Sequence, residues 1–143
     1  MSHLFINPPE LPEAIGFSHA AVAEPGRVVF LAGQAGHRAD GTIGEDLLDQ
    51  FAQACRNVAL ALEGTGASRG DLVNLHIFVT DVAAYRALRR ELGEAYRAVF
   101  GRHYPPMALF GVGELFDPAA RVELVGTAVV PLSPERAGPL GIV

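Results

Sequence analysis

Residues 122–130 constrain this chain more than any other segment, because they are apolar on both parities of a strand. Val122, Leu124, Ala128 and Val130 fall on one side of an extended backbone, and Val125 and Val129 on the other, since successive strand residues point to opposite faces. Such a strand belongs in a sheet covered on both sides. Glu123 interrupts it. A carboxylate buried there without a partner is costly, so Glu123 either faces water at a sheet margin or sits in a functional cleft.

The rest of the chain supplies only two helices to cover that sheet. Leu47, Leu48, Phe51, Ala54, Cys55, Val58, Ala59 and Leu62 recur at three- and four-residue steps, the spacing of one helix face. Glu45 and Asp46 suit the start of this helix, and Gly64 and Gly66 its stop. A second helix is expected from a cap at Asp81 to about Phe100. Tyr85, Leu88, Leu92, Tyr96 and Val99 form its apolar face, Arg86, Arg89, Arg90, Glu94 and Arg97 lie mostly away from it, and Gly101 ends it.

Strands are predicted over 17–23 and 27–32, joined as a hairpin by Glu24-Pro25-Gly26, and over 71–80, 107–112 and 121–130. The lead-in 1–13, with Pro8, Pro9 and Pro12, reads as extended, with order expected from near Gly16. The tail 132–143 reads as irregular. The order ββαβαββ describes a single α+β domain spanning 1–143. Two helices cover one face of its sheet, so a second subunit should bury the other.

Composition narrows the function. The 143 residues are half apolar and 19% charged, a balance that builds a core without disulfides or metals. A net charge of -5 without a run of basic residues argues against nucleic acid as a partner. No apolar run is long enough to cross a bilayer, and the opening residues lack the pattern of a signal peptide, so a cytoplasmic protein is expected. Cys55 stands alone as a packed small hydrophobe. The five histidines, at 3, 19, 37, 76 and 103, lack metal-ligand spacing, so no metal is expected. Gly33-Gln34-Ala35-Gly36 lacks the full phosphate-loop pattern, and Gly33 reads instead as a point of close backbone approach.

Several segments in order resemble one family. Ala14-Ile15-Gly16-Phe17-Ser18 and Val28-Val29-Phe30-Leu31-Ala32-Gly33-Gln34 resemble the opening strands of RidA/YjgF proteins, with Ala32 in place of the serine of "SGQ". Asp71-Leu72-Val73-Asn74-Leu75-His76-Ile77-Phe78-Val79-Thr80-Asp81 resembles the strand that leads into their second helix, and residues 96–105 and Val122-Glu123-Leu124 extend the likeness across about 14–131.

The resemblance implies a chorismate-mutase-like (YjgF-like) fold, a mixed sheet with two helices on one face, assembled as a homotrimer with ligand clefts between subunits. It also implies chemistry: deaminating members hydrolyse enamines and imines without cofactor or metal. In those members an arginine of the motif P-A-R-[ST] grips the substrate carboxylate. Here Tyr104-Pro105-Pro106-Met107-Ala108 matches that stretch, so Met107 stands where the arginine belongs, and a thioether cannot make its bidentate contact. Ser18, beside Phe17, stands at a position often filled by tyrosine, and Glu123 matches the glutamate that positions water.

The implied site therefore has Glu123 as its catalytic residue and Phe17, Ser18, Gly33, Gln34, Tyr104, Met107 and Phe110 around a small-molecule ligand in a cleft more apolar than the arginine-bearing one. The implied function is a hydrolase for an imine, enamine or related metabolite with altered substrate choice. The alternative is a non-catalytic metabolite-binding or chaperone-like trimer. Endoribonuclease activity, attributed to some relatives, is disfavoured by the acidic balance.

Overall fold

The computed structural model describes residues 3–132. Strands β1 (Leu4–Ile6) and β2 (Ala20–Val22) pair as a small antiparallel ribbon. A five-stranded sheet contains β3 (Gly26–Phe30), β4 (Gln34–Ala35), β5 (Leu72–Val79), β6 (Met107–Gly111) and β7 (Val122–Pro131). Its order is β3-β7-β5-β6, with β4 also paired to β7. Only β5 and β6 run parallel, as expected for strands joined through a helical crossover.

Helix α1 (Leu47–Gly64) is capped by Asp46, whose carboxylate accepts from the Asp49 amide at 2.7 Å. Just past its end Gly66 adopts φ +84°, a conformation that favours glycine. The expected apolar stripe is buried apart from the half-buried Leu48, and Gln50 is buried among it. That buried amide is satisfied: Nε2 donates to the carbonyls of Gly44 (2.8 Å) and Ala119 (2.9 Å), while Oε1 accepts from the Arg121 amide (2.7 Å). Gln50 thereby ties the loop before β7 to the start of α1.

Three expectations about local structure are corrected. The hairpin over 17–23 and 27–32 does not form. The turn at Glu24-Pro25-Gly26 instead carries the chain from one sheet to the other, β2 pairing with β1 and β3 with β7. Gly26 permits this because a Cβ there would collide with the Val130 carbonyl. The lead-in is ordered well before Gly16, since the proline-rich segment finds partners outside itself. His3 is buried with Nε2 2.8 Å from the Val129 carbonyl oxygen, and Asn7 Oδ1 accepts from the His19 amide at 2.8 Å. The second helix is divided into α2 (Val82–Ala87) and α3 (Arg89–Phe100). Leu88 sits between them at φ -105°, ψ 11°, its amide shared among carbonyls of the preceding turn, the tightening common at helix ends. Asp81 caps α2 as expected, and Gly101 ends α3 at φ +64°. The expected irregular tail lies, from residue 133 on, outside the described residues.

The helices cover one face of the sheet. Leu75, Ile77 and Val79 of β5 and Val122, Leu124, Ala128 and Val130 of β7 are buried with α1 and α3 in one core. On the opposite face His76 is paired with Val125 and Phe78 with Glu123, and Phe78 stacks on Phe110 with centroids 5.4 Å apart. Val28 and Phe30, on the same side, are 54% and 80% exposed. The architecture is the expected α+β layer with a mixed sheet, and one sheet face is left apolar and open.

Candidate active site

Strand pairing decides where Glu123 can act. It lies on β7 between Ala35 of β4 and Phe78 of β5, on the face opposite the helices. A Cβ on Gly33 would collide with Glu123 Oε2, so the missing side chain is what lets the carboxylate lie against the backbone entering β4. The close approach expected at Gly33 is thus made by a side chain. Gln34, half-buried, directs its amide Nε2 to the Ala32 carbonyl at 3.4 Å, and with Gly33, His37 and Asn57 it borders a surface hollow of about 430 Å³. Phe110 shares the open face with Glu123, held by its contacts with Phe78 and His76.

A second group of the expected site residues gathers on the helix side. Met107 pairs with Leu75 and therefore points with it toward the helices. Met107 and Tyr104 border a cavity of about 180 Å³ between the sheet and α3, whose apolar floor includes Phe51, Ile77 and Leu92. Ser18 fastens this corner: its Oγ donates to the Tyr104 carbonyl at 2.6 Å and its amide to the Pro105 carbonyl at 3.3 Å. Phe17 packs edge-on against His19, centroids 5.2 Å apart.

Within one chain these two groups cannot serve one small substrate. Met107 is in register with Leu75 and Glu123 with Phe78, which places them two strands across and three residues along. At ordinary strand spacings that is about 14 Å between Cα atoms, and the sheet itself lies between the side chains.

Sequence reasoning missed part of the cavity's lining. Tyr85, Arg89, Gly93 and Arg97 border it together with Ile15. The apolar stripe of the second helix was legible, but it reads equally well as core, and the arginines read as a solvated face. Burial pushes the Tyr85 hydroxyl up to about 12 and raises that of Tyr96, which donates to the His103 carbonyl at 2.5 Å. Both therefore stay protonated at neutral pH and serve as walls or donors, not bases. Cys55 is sealed in the core and burial pushes its thiol up to about 12, which leaves it inert as a nucleophile. Among the described residues no cluster of His, Cys, Asp and Glu could hold a metal ion, and no helix is long and apolar enough to cross a membrane.

The family model described as "Endoribonuclease L-PSP" matches residues 9–130. The chain belongs to this family, that of RidA and YjgF. Among its relatives is a 2-iminobutanoate/2-iminopropanoate deaminase of Dermatophagoides farinae, 28% identical over 127 residues that cover 87% of this chain and 94% of the relative. The crystal structure of YyfB from Yersinia pestis, a Rid-family protein of unknown function, superposes with a TM-score of 0.79 at 30% identity, covering 91% of this chain and all of that one. Escherichia coli TdcF, crystallised with bound serine, is 26% identical with a TM-score of 0.64 over 89% of this chain and 98% of its own. The RidA/YjgF fold of these neighbours is the one the sheet order and helix placement describe here.

Proposed function

We propose that this RidA/YjgF protein is a small-molecule hydrolase of the imine or enamine deaminase type, working in clefts between the subunits of a homotrimer. The observation that carries this reading is the placement of Glu123 on an apolar sheet face, its carboxylate lying against the side-chain-free backbone of Gly33. Because Met107 lies on the other face, a cleft using both residues takes Glu123 from one subunit and the Met107 cavity from its neighbour. Kinship with an iminobutanoate deaminase supplies the reaction class.

In that cleft Glu123 accepts a proton from a water molecule as the water oxygen bonds to the imine carbon. Glu123 passes that proton to the imine nitrogen, giving the carbinolamine; as its C–N bond breaks the hydroxyl proton is transferred to the departing nitrogen, and a carbonyl compound and ammonia leave. Every atom comes from imine and water, so the step calls for no redox partner. Met107, in the place of the family's arginine, offers an apolar surface where a cation would grip a carboxylate close to the reacting carbon. Small 2-imino acids are then poor substrates and imines with a larger apolar body are preferred. Binding of RNA gains little support from a chain of net charge -5.

The test is a panel of imines generated in the assay, from 2-iminopropanoate to aryl-substituted and carboxylate-free ones. Turnover should be weak for 2-iminopropanoate, greater for the bulkier imines, and lost in Glu123→Gln. Met107→Arg should shift preference back toward 2-iminopropanoate by about tenfold or more, the worth of one charge-assisted hydrogen bond. A protein that turns over none of the panel, in which Glu123→Gln changes nothing, would be a binding trimer instead.

A further inference from the structure

The cavity beside Met107 has an electrostatic bias that its apolar floor does not explain. Among the described residues Arg89 and Arg97 border it and no aspartate or glutamate does, in a chain with 16 acidic and 11 basic residues. Among the described residues neither guanidinium takes part in an ion pair or hydrogen bond, whereas Arg90, one position further along α3, has Glu94 at 3.7 Å. Solvated helix arginines are ordinary, but these two are placed by a pattern. Arg89, Gly93 and Arg97 are spaced at i, i+4 and i+8, so they form one stripe along α3, and all three border the cavity.

Gly93 is the unusual member. A glycine inside a helix costs about 1 kcal/mol relative to alanine, and nothing in the helix geometry calls for it. Its effect is spatial: Arg97 Nη1 lies 3.2 Å from where a Cβ on Gly93 would stand. The Arg97 guanidinium therefore leans back over position 93 toward Arg89, the direction in which helix side chains point. Eight residues separate the two arginines, about 12 Å along the axis, a gap that the long Arg97 side chain narrows by reaching back across an unfilled position. The result is an apolar pocket with a cationic rim.

We propose that Arg89 and Arg97 hold the carboxylate of an amphiphilic ligand at the mouth of this cavity, with the ligand's apolar or aromatic body lying on Met107. This deepens the hydrolase reading, on which it rests, by naming the substrate class: an imino acid whose carboxylate is separated from the reacting carbon by an apolar spacer. The grip on the acid has moved from the position of Met107 to α3, and the cavity, at about 180 Å³, is below the range of drug-sized sites and suits a small aromatic or branched acid.

Calorimetric titration of the full-length protein with benzoate, and with benzamide as its neutral counterpart, tests this. Benzoate should bind more tightly than benzamide. Arg89→Gln and Arg97→Gln should each weaken benzoate by about tenfold or more while leaving benzamide unchanged, and Arg97→Lys should restore part of the loss. Benzamide binding in each variant reports that the pocket is still folded. If a variant fails that control, the fall of benzoate affinity with rising salt in the wild-type protein, absent for benzamide, serves as the second measurement. Equal affinity for the two probes, benzoate affinity untouched by both substitutions, or no benzoate binding at millimolar concentration would overturn the proposal. The hydrolase reading is judged separately by imine turnover in Glu123→Gln, so either can fail while the other stands.

Discussion

A methyl group at position 33 would occupy space that the Glu123 carboxylate now holds. The atom it meets is the end of a flexible side chain, so Gly33→Ala should fold with little change in thermal midpoint and yet displace the carboxylate. Imine turnover in Gly33→Ala should then fall toward the level of Glu123→Gln, with substrate binding less affected than the chemical step. Wild-type turnover in this variant would show that the position of Glu123 against Gly33 has no part in the reaction. The sequence made Glu123 conspicuous, because a charge amid valines and leucines needs an account, and it marked Gly33 as a close approach. That the two meet follows from the β4–β7 register, which no local pattern encodes.

At the scale of elements, the connection between β6 and β7 is held to the segment before α1 by Gln50 and by Asp117. Asp117 Oδ2 lies 2.7 Å from His37 Nε2, and Oδ1 accepts from the Ala119 amide at 2.9 Å. The hydrogen bond with His37, then that with Ala119, holds the Asp117 carboxyl below its usual 3.8. A carboxyl depressed in the folded state stabilises the fold above its unfolded pKa, and that stabilisation is lost as pH falls through the folded value. Asp117→Asn should therefore melt below wild type at pH 7, and the gap should close as pH falls below about 4. Thermal melts of both proteins across this range check it; a gap that persists at about pH 3 would mean that Asp117 acts through shape and not charge. The cap at Asp81, the stop at Gly101 and the acidic start of α1 at Asp46 were legible in the local sequence, because capping is local chemistry. The pairing of His37 with Asp117, eighty residues apart, was not.

For the molecule as a whole, the open sheet face is the dominant fact. Phe30 is 80% exposed, Val28 54% and Phe110 45%, large apolar side chains left open at the two edges of the face that the helices do not cover, the kind of surface that marks an interaction site. Sedimentation at micromolar concentration should find three chains together. Phe30→Asp, placing a charge on that face along the edge strand β3, should shift the distribution toward monomer and abolish imine turnover with it, since the proposed cleft needs Glu123 from a neighbouring subunit. A monodisperse wild-type monomer, or a Phe30→Asp monomer that is fully active, would contradict this.

What the sequence determined by itself was periodic or local: the α+β class, both helical stripes, the central strand apolar on two sides and the charge embedded in it. These follow from side-chain direction and capping, which act over a few residues. The tertiary structure decided which strands pair, and so sent β2 to the N-terminal ribbon rather than to β3. It also decided which face each expected site residue occupies. The resemblance implied Met107 and Glu123 around one ligand, but parity along paired strands turned one toward the helices and the other away. The same folding brought Arg89 and Arg97, ordinary surface charges in the sequence, to the rim of the Met107 cavity, because only the packing of α3 on the sheet decides which of its residues border that cavity.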